Sequence, residues 1–280
     1  MLIRPLDRET LRRQFSSARP FPFVSIDNFL DPRFAAEVAR AYPTYELATQ
    51  QGRTFKTVNE KKKIQITEAE RFSEPVRRLN QALAAPSLLS DLSYITGVPK
   101  LLADPELRGG GIHITGPGGR LDVHVDFNYF DDKKLYRRAN LIVYLNPRWE
   151  KGWGGQLQLW DREVSRCEHE FEPVFNRCVL FEISDTGFHG VRPVSEEAPL
   201  PRQSFAVYYY TVEAPPAWAG VHDSIFRARP DEKLRGYVLM PAEAMGRKLR
   251  YGARRIKGGI KRLLGVSSFR GLYKSTKPHL

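Results

Sequence analysis

The chain has 280 residues, 41% hydrophobic and 27% charged, with a formal net charge of +12. That is an ordinary globular balance. No run nears the roughly 18 apolar residues of a membrane-spanning helix. A disulfide scaffold is excluded, because Cys167 and Cys178 are the only cysteines. The N-terminal Met-Leu-Ile-Arg-Pro-Leu-Asp-Arg-Glu has no apolar signal core, so a cytoplasmic location is expected.

The positive charge is concentrated at one end. Pro241–Leu280 holds eleven Lys/Arg against Glu243 alone, so +10 of the +12 lies there and +2 is left for the other 240 residues. Any attraction to nucleic acid or an anionic membrane must rest on that segment.

In chain order, a short helix is expected from Asp7 to Phe15, then a strand at Phe23–Ile26. A second helix follows, with Asp31 as N-cap, Pro32 at its first position, and Phe34, Val38 and Tyr42 at helical spacing. Residues 43–68 are polar, include Lys61-Lys62-Lys63, and read as irregular. Two more helices are expected at Glu74–Ala84 and Ser87–Thr96. From Arg108 onward the pattern changes to short β-runs parted by Gly, Pro and Asp: 110–115, 121–126, 138–145, 155–160, 166–174, 178–184, 188–194 and 202–211. Evenly spaced short strands after a helical region predict an α+β chain. The expected division is a helical support region at 1–107, a β-core at 108–230 and a basic tail at 231–280.

Within that core, His124-Val125-Asp126 places an imidazole and a carboxylate at i and i+2. In a strand those positions share a face. His189 begins another β-run and can supply a third ligand. Two histidines and one carboxylate suit a mononuclear non-haem iron(II) site with open coordination positions, and zinc is the chemical alternative. A lone His-x-Asp more often binds nothing. Among the remaining histidines, His113 reads as structural or as a neighbour of the site, while His169, His222 and His279 show no partner pattern and read as surface residues. Asn128 either touches substrate or ends the strand, and Trp153 and Trp160 read as packing.

From about Gly109 to Thr211 the sequence resembles the iron(II)- and 2-oxoglutarate-dependent dioxygenases, within them the prolyl-hydroxylase-like group. His124-Val125-Asp126 and His189-Gly190-Val191 resemble the family's ligand motif. Arg137, Asn140, Tyr144-Leu145-Asn146 and Trp149 resemble the group's Arg-x-x-Thr-x-x-x-Tyr-Leu-Asn segment, Gly154-Gly155-Gln156-Leu157 its Gly-Gly-x-Leu, and Arg202-Gln203-Ser204 its arginine strand. The sequence departs from the group at His113, nearest to a usual tyrosine, at Asn140 where threonine is usual, and in a few additional residues within Val194–Pro201.

The resemblance implies a double-stranded β-helix (jelly roll) braced by N-terminal helices. It implies iron(II) held by His124, Asp126 and His189, with dioxygen and 2-oxoglutarate as co-substrates and ascorbate as an accessory reductant. Arg202 would grip the far carboxylate of 2-oxoglutarate, helped by Ser204 and Tyr144, although a tyrosine in an apolar strand is as readily core. Related halogenases lack the carboxylate, so Asp126 implies hydroxylation or a related oxidation. The implied substrate is a prolyl or other peptidyl side chain, or a small metabolite or saccharide intermediate. A catalytically silent jelly roll that binds a ligand or partner is the alternative from another class.

Met245, Leu249, Ala253, Ile256, Ile260 and Leu263 form a helical stripe flanked by Lys and Arg. Such a tail can dock on the protein's own body, lie on an anionic membrane surface or, least expected, bind nucleic acid.

Overall fold

The computed structural model describes residues 1–242 apart from Pro105 and Ala217, together with Met245. The chain divides into Met1–Met240 and Pro241–Leu280. The basic stripe expected beyond Met245 therefore lies outside the described residues, as does His279.

Helix ends fall where side chains can cap them. Asp7 accepts from the Thr10 amide to open α1 (Arg8–Ser17). After β1 (Phe23–Ile26), Asp31 accepts from Arg33 and Phe34 to open α2 (Pro32–Arg40). The stretch expected to be irregular is instead ordered. Thr44 caps α3 (Tyr45–Gln51), and a hairpin of β2 (Arg53–Lys56) and β3 (Glu60–Ile66) follows. Its strand signal is masked by lysines and by Gln65, yet Ile64 and Ile66 are fully buried. Gln65 faces the other way because that face looks into the barrel. α4 (Glu74–Leu83) and α5 (Pro86–Thr96) complete the helices, and β4 (Leu102–Ala103) leads into the β-core.

Two expected strands, 110–115 and 121–126, are one continuous element, β5 (Gly111–Val125). The intervening glycines do not end it, because β3 pairs with both halves and its register jumps between Lys61↔Arg120 and Lys63↔Thr115. Then follow β6 (Tyr129–Phe130), β7 (Leu135–Tyr144), β8 (Leu157–Trp160), β9 (Cys167–Phe171), β10 (Cys178–Glu182), β11 (His189–Val191), β12 (Arg202–Thr211) and β13 (Ile225–Arg227).

These strands form one curled antiparallel sheet in the order β1-β10-β7-β12-β5-β11-β8-β9, a jelly roll in an α+β chain. Residues 1–107 are thus not purely helical: β1, β2, β3 and β4 all join the sheet. The central strands are buried on both faces. Leu141, Val143, Phe205, Val207 and Tyr209 pack under Val38, Leu79 and Leu92 of the helices. Their alternates Ile142, Tyr144, Ala206, Tyr208 and Tyr210 face the barrel interior with Phe181 and Leu157. The helical layer braces the sheet, which leaves the inner face to carry the site.

The expected start of the tail, residue 231, falls inside the first unit. Glu232 and Arg235 are ion-paired to the β-core, and a helical turn at Arg235–Leu239 follows. Among the described residues, no helix is long and apolar enough to cross a membrane.

Candidate metal centre

β5 and β11 run antiparallel with His189 directly opposite His124, and the two imidazole centres lie 4.4 Å apart. The approach is close because residue 190 is glycine: a Cβ there would sit 3.0 Å from the Val123 Cα. Asp126 follows β5 on the same face as His124. One ligand-type atom from each of His124, Asp126 and His189 lies within 4.8 Å of the others, and all three residues are buried. His124 Nε2 is 3.6 Å from Asp126 Oδ1, and His189 Nε2 is 3.5 Å from Asp126 Oδ2.

Each imidazole has its Nδ1 set against the main-chain carbonyl two residues earlier. His124 Nδ1 lies 2.9 Å from the Asp122 carbonyl, and His189 Nδ1 lies 3.0 Å from that of Gly187. An Nδ1–H donated to those oxygens leaves Nε2 to point a lone pair at the shared space. Asp126 Oδ2 is buried without a hydrogen-bond donor. Burial alone would raise the Asp126 carboxyl, but the two imidazoles outweigh it and hold the group well below the usual carboxylate range. Two imidazole nitrogens and one ionised carboxylate around a buried point fit a divalent cation with open coordination positions.

Two residues that the sequence did not single out as site residues support Asp126. Tyr208, facing inward on β12, donates its hydroxyl to Asp126 Oδ1 at 3.3 Å. Arg137 on β7, fully buried, has Nη1 3.8 Å from the same oxygen. Its guanidinium is clamped between the rings of Phe127 and Tyr208, 3.5 Å from each centre, and donates to the Arg108 carbonyl and the Tyr210 hydroxyl. The signal for both was present: they stand at inward positions of strands whose period is two.

The start of β12 carries a second polar group on the same inner face. Arg202 donates through Nε to the Gly155 carbonyl at 2.7 Å and through Nη1 to Ser204 Oγ at 3.1 Å. Gly155 has φ +75, a conformation L side chains rarely adopt, and that turn presents its carbonyl to Arg202. Ser204 is in register with Tyr144 on β7 and with His113 on β5. The Arg202 guanidinium lies 5.0 Å from the centre of the Tyr144 ring. Arg202 Nη2 and the Tyr144 hydroxyl are both buried without a protein hydrogen-bond partner. Buried donors are seldom left so, and a carboxylate accepting from both would satisfy them.

The other expected positions divide. His113 lies against the Gly109 carbonyl at 3.0 Å and near Gln65. Burial, followed by the Lys63 and Arg202 charges, pushes its pKa well down and keeps it neutral. Asn128 donates to the Gly220 carbonyl and accepts from the His222 amide, pinning that loop beside the end of β5. His222 is not partnerless, because its Nε2 meets Asp185 Oδ1 at 2.9 Å. His169 is exposed but packs on Phe23. Trp160 is buried behind β5 with Val123 and Val125, and Trp153 packs edge-on against Trp149.

Residues 110–210 match the family model described as the 2OG-Fe(II) oxygenase superfamily. Over that stretch the chain is similar to the 2OG-Fe(II) oxygenase superfamily. A stretch of 94 residues is 34% identical to the prolyl 3-hydroxylase OGFOD1 of Mus musculus. The match covers 31% of the chain and 17% of that relative, so the chain spans about a sixth of the relative's length. A prolyl hydroxylase from Trichoplax adhaerens, solved with a hypoxia-inducible-factor peptide fragment, has a similar fold. The TM-score is 0.53 at 20% identity, covering 72% of this chain and 88% of the other. The non-heme alpha-ketoglutarate-dependent carbocyclase SnoK of nogalamycin biosynthesis superposes with a TM-score of 0.50 at 14% identity, covering 84% and 92%. Of the metals that the donor set admits, iron(II), with 2-oxoglutarate, fits the triad, the Arg202–Tyr144 pair and the matched stretch.

Proposed function

We propose that this chain is an iron(II)- and 2-oxoglutarate-dependent hydroxylase whose substrate is a prolyl or other peptidyl side chain. The observation that carries the reading is the pairing of two incomplete polar groups on one inner face. The His124/Asp126/His189 triad has an undonated carboxylate oxygen, and the Arg202–Tyr144 pair has two undonating buried atoms. One fits a divalent metal and the other fits the end of a dicarboxylate. A binding module needs neither.

His124, Asp126 and His189 would hold the metal. Tyr208 and Arg137 steady Asp126 from behind. Arg202 would hold the distal carboxylate as a charged fork, with Gly155 and Ser204 fixing its orientation and Tyr144 adding a hydroxyl. Ile142, Phe181 and Leu157 line the same interior and keep it dry. Bound iron(II) would couple the decarboxylation of 2-oxoglutarate to succinate and carbon dioxide with insertion of one dioxygen-derived oxygen atom into a substrate C–H bond. The named activity of OGFOD1 supports a prolyl substrate, and a small metabolite or saccharide intermediate is the competing class.

The test is substrate-stimulated turnover. Purified chain with iron(II), 2-oxoglutarate, ascorbate and oxygen is offered prolyl-containing peptide libraries and, separately, saccharide libraries. The reading expects peptides to raise succinate formation and to gain one oxygen atom by mass. Stimulation by saccharides alone would reassign the substrate class.

The +10 charge of Pro241–Leu280 supports a separate reading, in which the tail retains a cytoplasmic enzyme at an anionic membrane surface.

A further inference from the structure

The stretch Ile225–Arg235, which follows β12, converges on the back of one candidate ligand. β13 takes over from β3 as the neighbour of β5, with Phe226 in register with His124. The Phe226 ring stacks on the His124 imidazole at 5.1 Å between centres and 24° between planes. The carbonyl that faces His124 Nδ1 belongs to Asp122, whose side chain is fully buried. A buried carboxylate is tolerated only when it is paired. Arg120 Nε reaches Asp122 Oδ1 at 2.7 Å, and Arg235 Nη2 reaches Oδ2 at 2.6 Å. Arg229 lies 3.6 Å from Oδ1 and also donates to the Val191 carbonyl on β11, two residues beyond His189. Glu232 closes the network against Arg120, Arg229 and Arg235.

An imidazole ligand has two soft torsions, and its donor direction is lost if either drifts. Here the ring face is held by Phe226. The Nδ1 edge is held by an oxygen whose own residue is clamped by Arg120 and Arg235. Two of these contacts come from a segment outside the jelly roll's ligand strands. We propose that Ile225–Arg235 is an arm of the metal centre, in which Phe226 and Arg235 are positioning residues that aim His124 Nε2. The inference rests on the ligand assignment proposed above and extends it to residues that never touch the metal.

Cobalt(II) alone, added anaerobically to the full-length chain, tests this through a dissociation constant and a visible spectrum. Removing groups that orient a ligand costs metal affinity by about 10- to 100-fold. Phe226→Ala and Arg235→Ala are therefore each expected to weaken cobalt binding by about 10-fold or more and to change the band shape. Phe226→Tyr and Arg235→Lys should recover part of the loss. Leu79→Ala, in the remote helical core, should lower the melting temperature with cobalt affinity unchanged, which separates positioning from general destabilisation. Wild-type affinity and spectrum in folded Phe226→Ala and Arg235→Ala would overturn the inference. Cobalt binding that survives His124→Ala would instead remove the ligand assignment, and this inference with it.

Discussion

His124 and His189 face one another across the β5–β11 pair, and each is set against the carbonyl of the residue two before it. Antiparallel pairing alone creates this symmetry. Opposite residues share a face, and the same local contact at both rings turns Nε2 toward Asp126. Two copies of one backbone device therefore aim two ligands at one carboxylate.

Arg202 and Tyr144 are expected to act on co-substrate binding rather than on the metal. A charge-assisted hydrogen bond contributes about 1.5–3 kcal/mol and a neutral one about 0.5–1.5 kcal/mol. Arg202→Met should weaken 2-oxoglutarate binding by about 10- to 100-fold and Tyr144→Phe by only about 2- to 10-fold. Arg202→Lys should not restore it, because a point charge cannot bridge Gly155 and Ser204 while presenting a second edge. Calorimetric titration of 2-oxoglutarate into the manganese-loaded chain, which avoids turnover, measures all three.

Arg137 is expected to matter for stability as well as for the site. It is buried between two rings and holds the Arg108 carbonyl and the Tyr210 hydroxyl. Arg137→Met should cost roughly 2–4 kcal/mol in urea unfolding, from charged hydrogen bonds and a desolvated cation–π contact. A stability equal to wild type would show that the sandwich is not a net contributor.

Much of this was legible in the residues. Asp7 and Asp31 marked helix starts because capping is local, and β12 was bounded correctly because its apolar run lies between clear breaks. His124, Asp126 and His189 were legible as a set because i, i+2 spacing and a strand start are also local signals. β2 and β3 were not, because their inward face lines a polar site and so loses the apolar alternation. Phe226 and Arg235 were invisible for a different reason. Their roles depend on a long-range return of the chain to β5, which no window of sequence records.

Cys167 gives a pH-dependent test. Burial, followed by the nearby Glu170 carboxylate, pushes its thiol up to about 11. A raised thiol pKa depletes the thiolate below that value, so reactivity should be low at neutral pH and rise as pH approaches it. At pH 8 only about one thiol in a thousand is ionised. Iodoacetamide should therefore label folded Cys167 far more slowly than the same residue in urea, with the folded rate still climbing between pH 8 and pH 10. A folded rate that has levelled off by pH 9 would contradict the burial argument.

The tail's charge predicts salt-sensitive retention on acidic vesicles. The full chain should sediment with phosphatidylserine-containing vesicles at low salt and be released as salt rises, while a chain ending at Met240 should stay in solution. Both should turn over 2-oxoglutarate alike, because the candidate site lies wholly within Met1–Met240. Equal sedimentation of the two chains would remove the membrane reading.

The most direct test of the central claim is succinate formation from 2-oxoglutarate under air, by the iron-loaded wild-type chain and by His124→Ala. The account predicts oxygen-dependent succinate from the wild type, matched by released carbon dioxide, and none above background from His124→Ala even though its fold is retained. Succinate formed equally by both chains would contradict it.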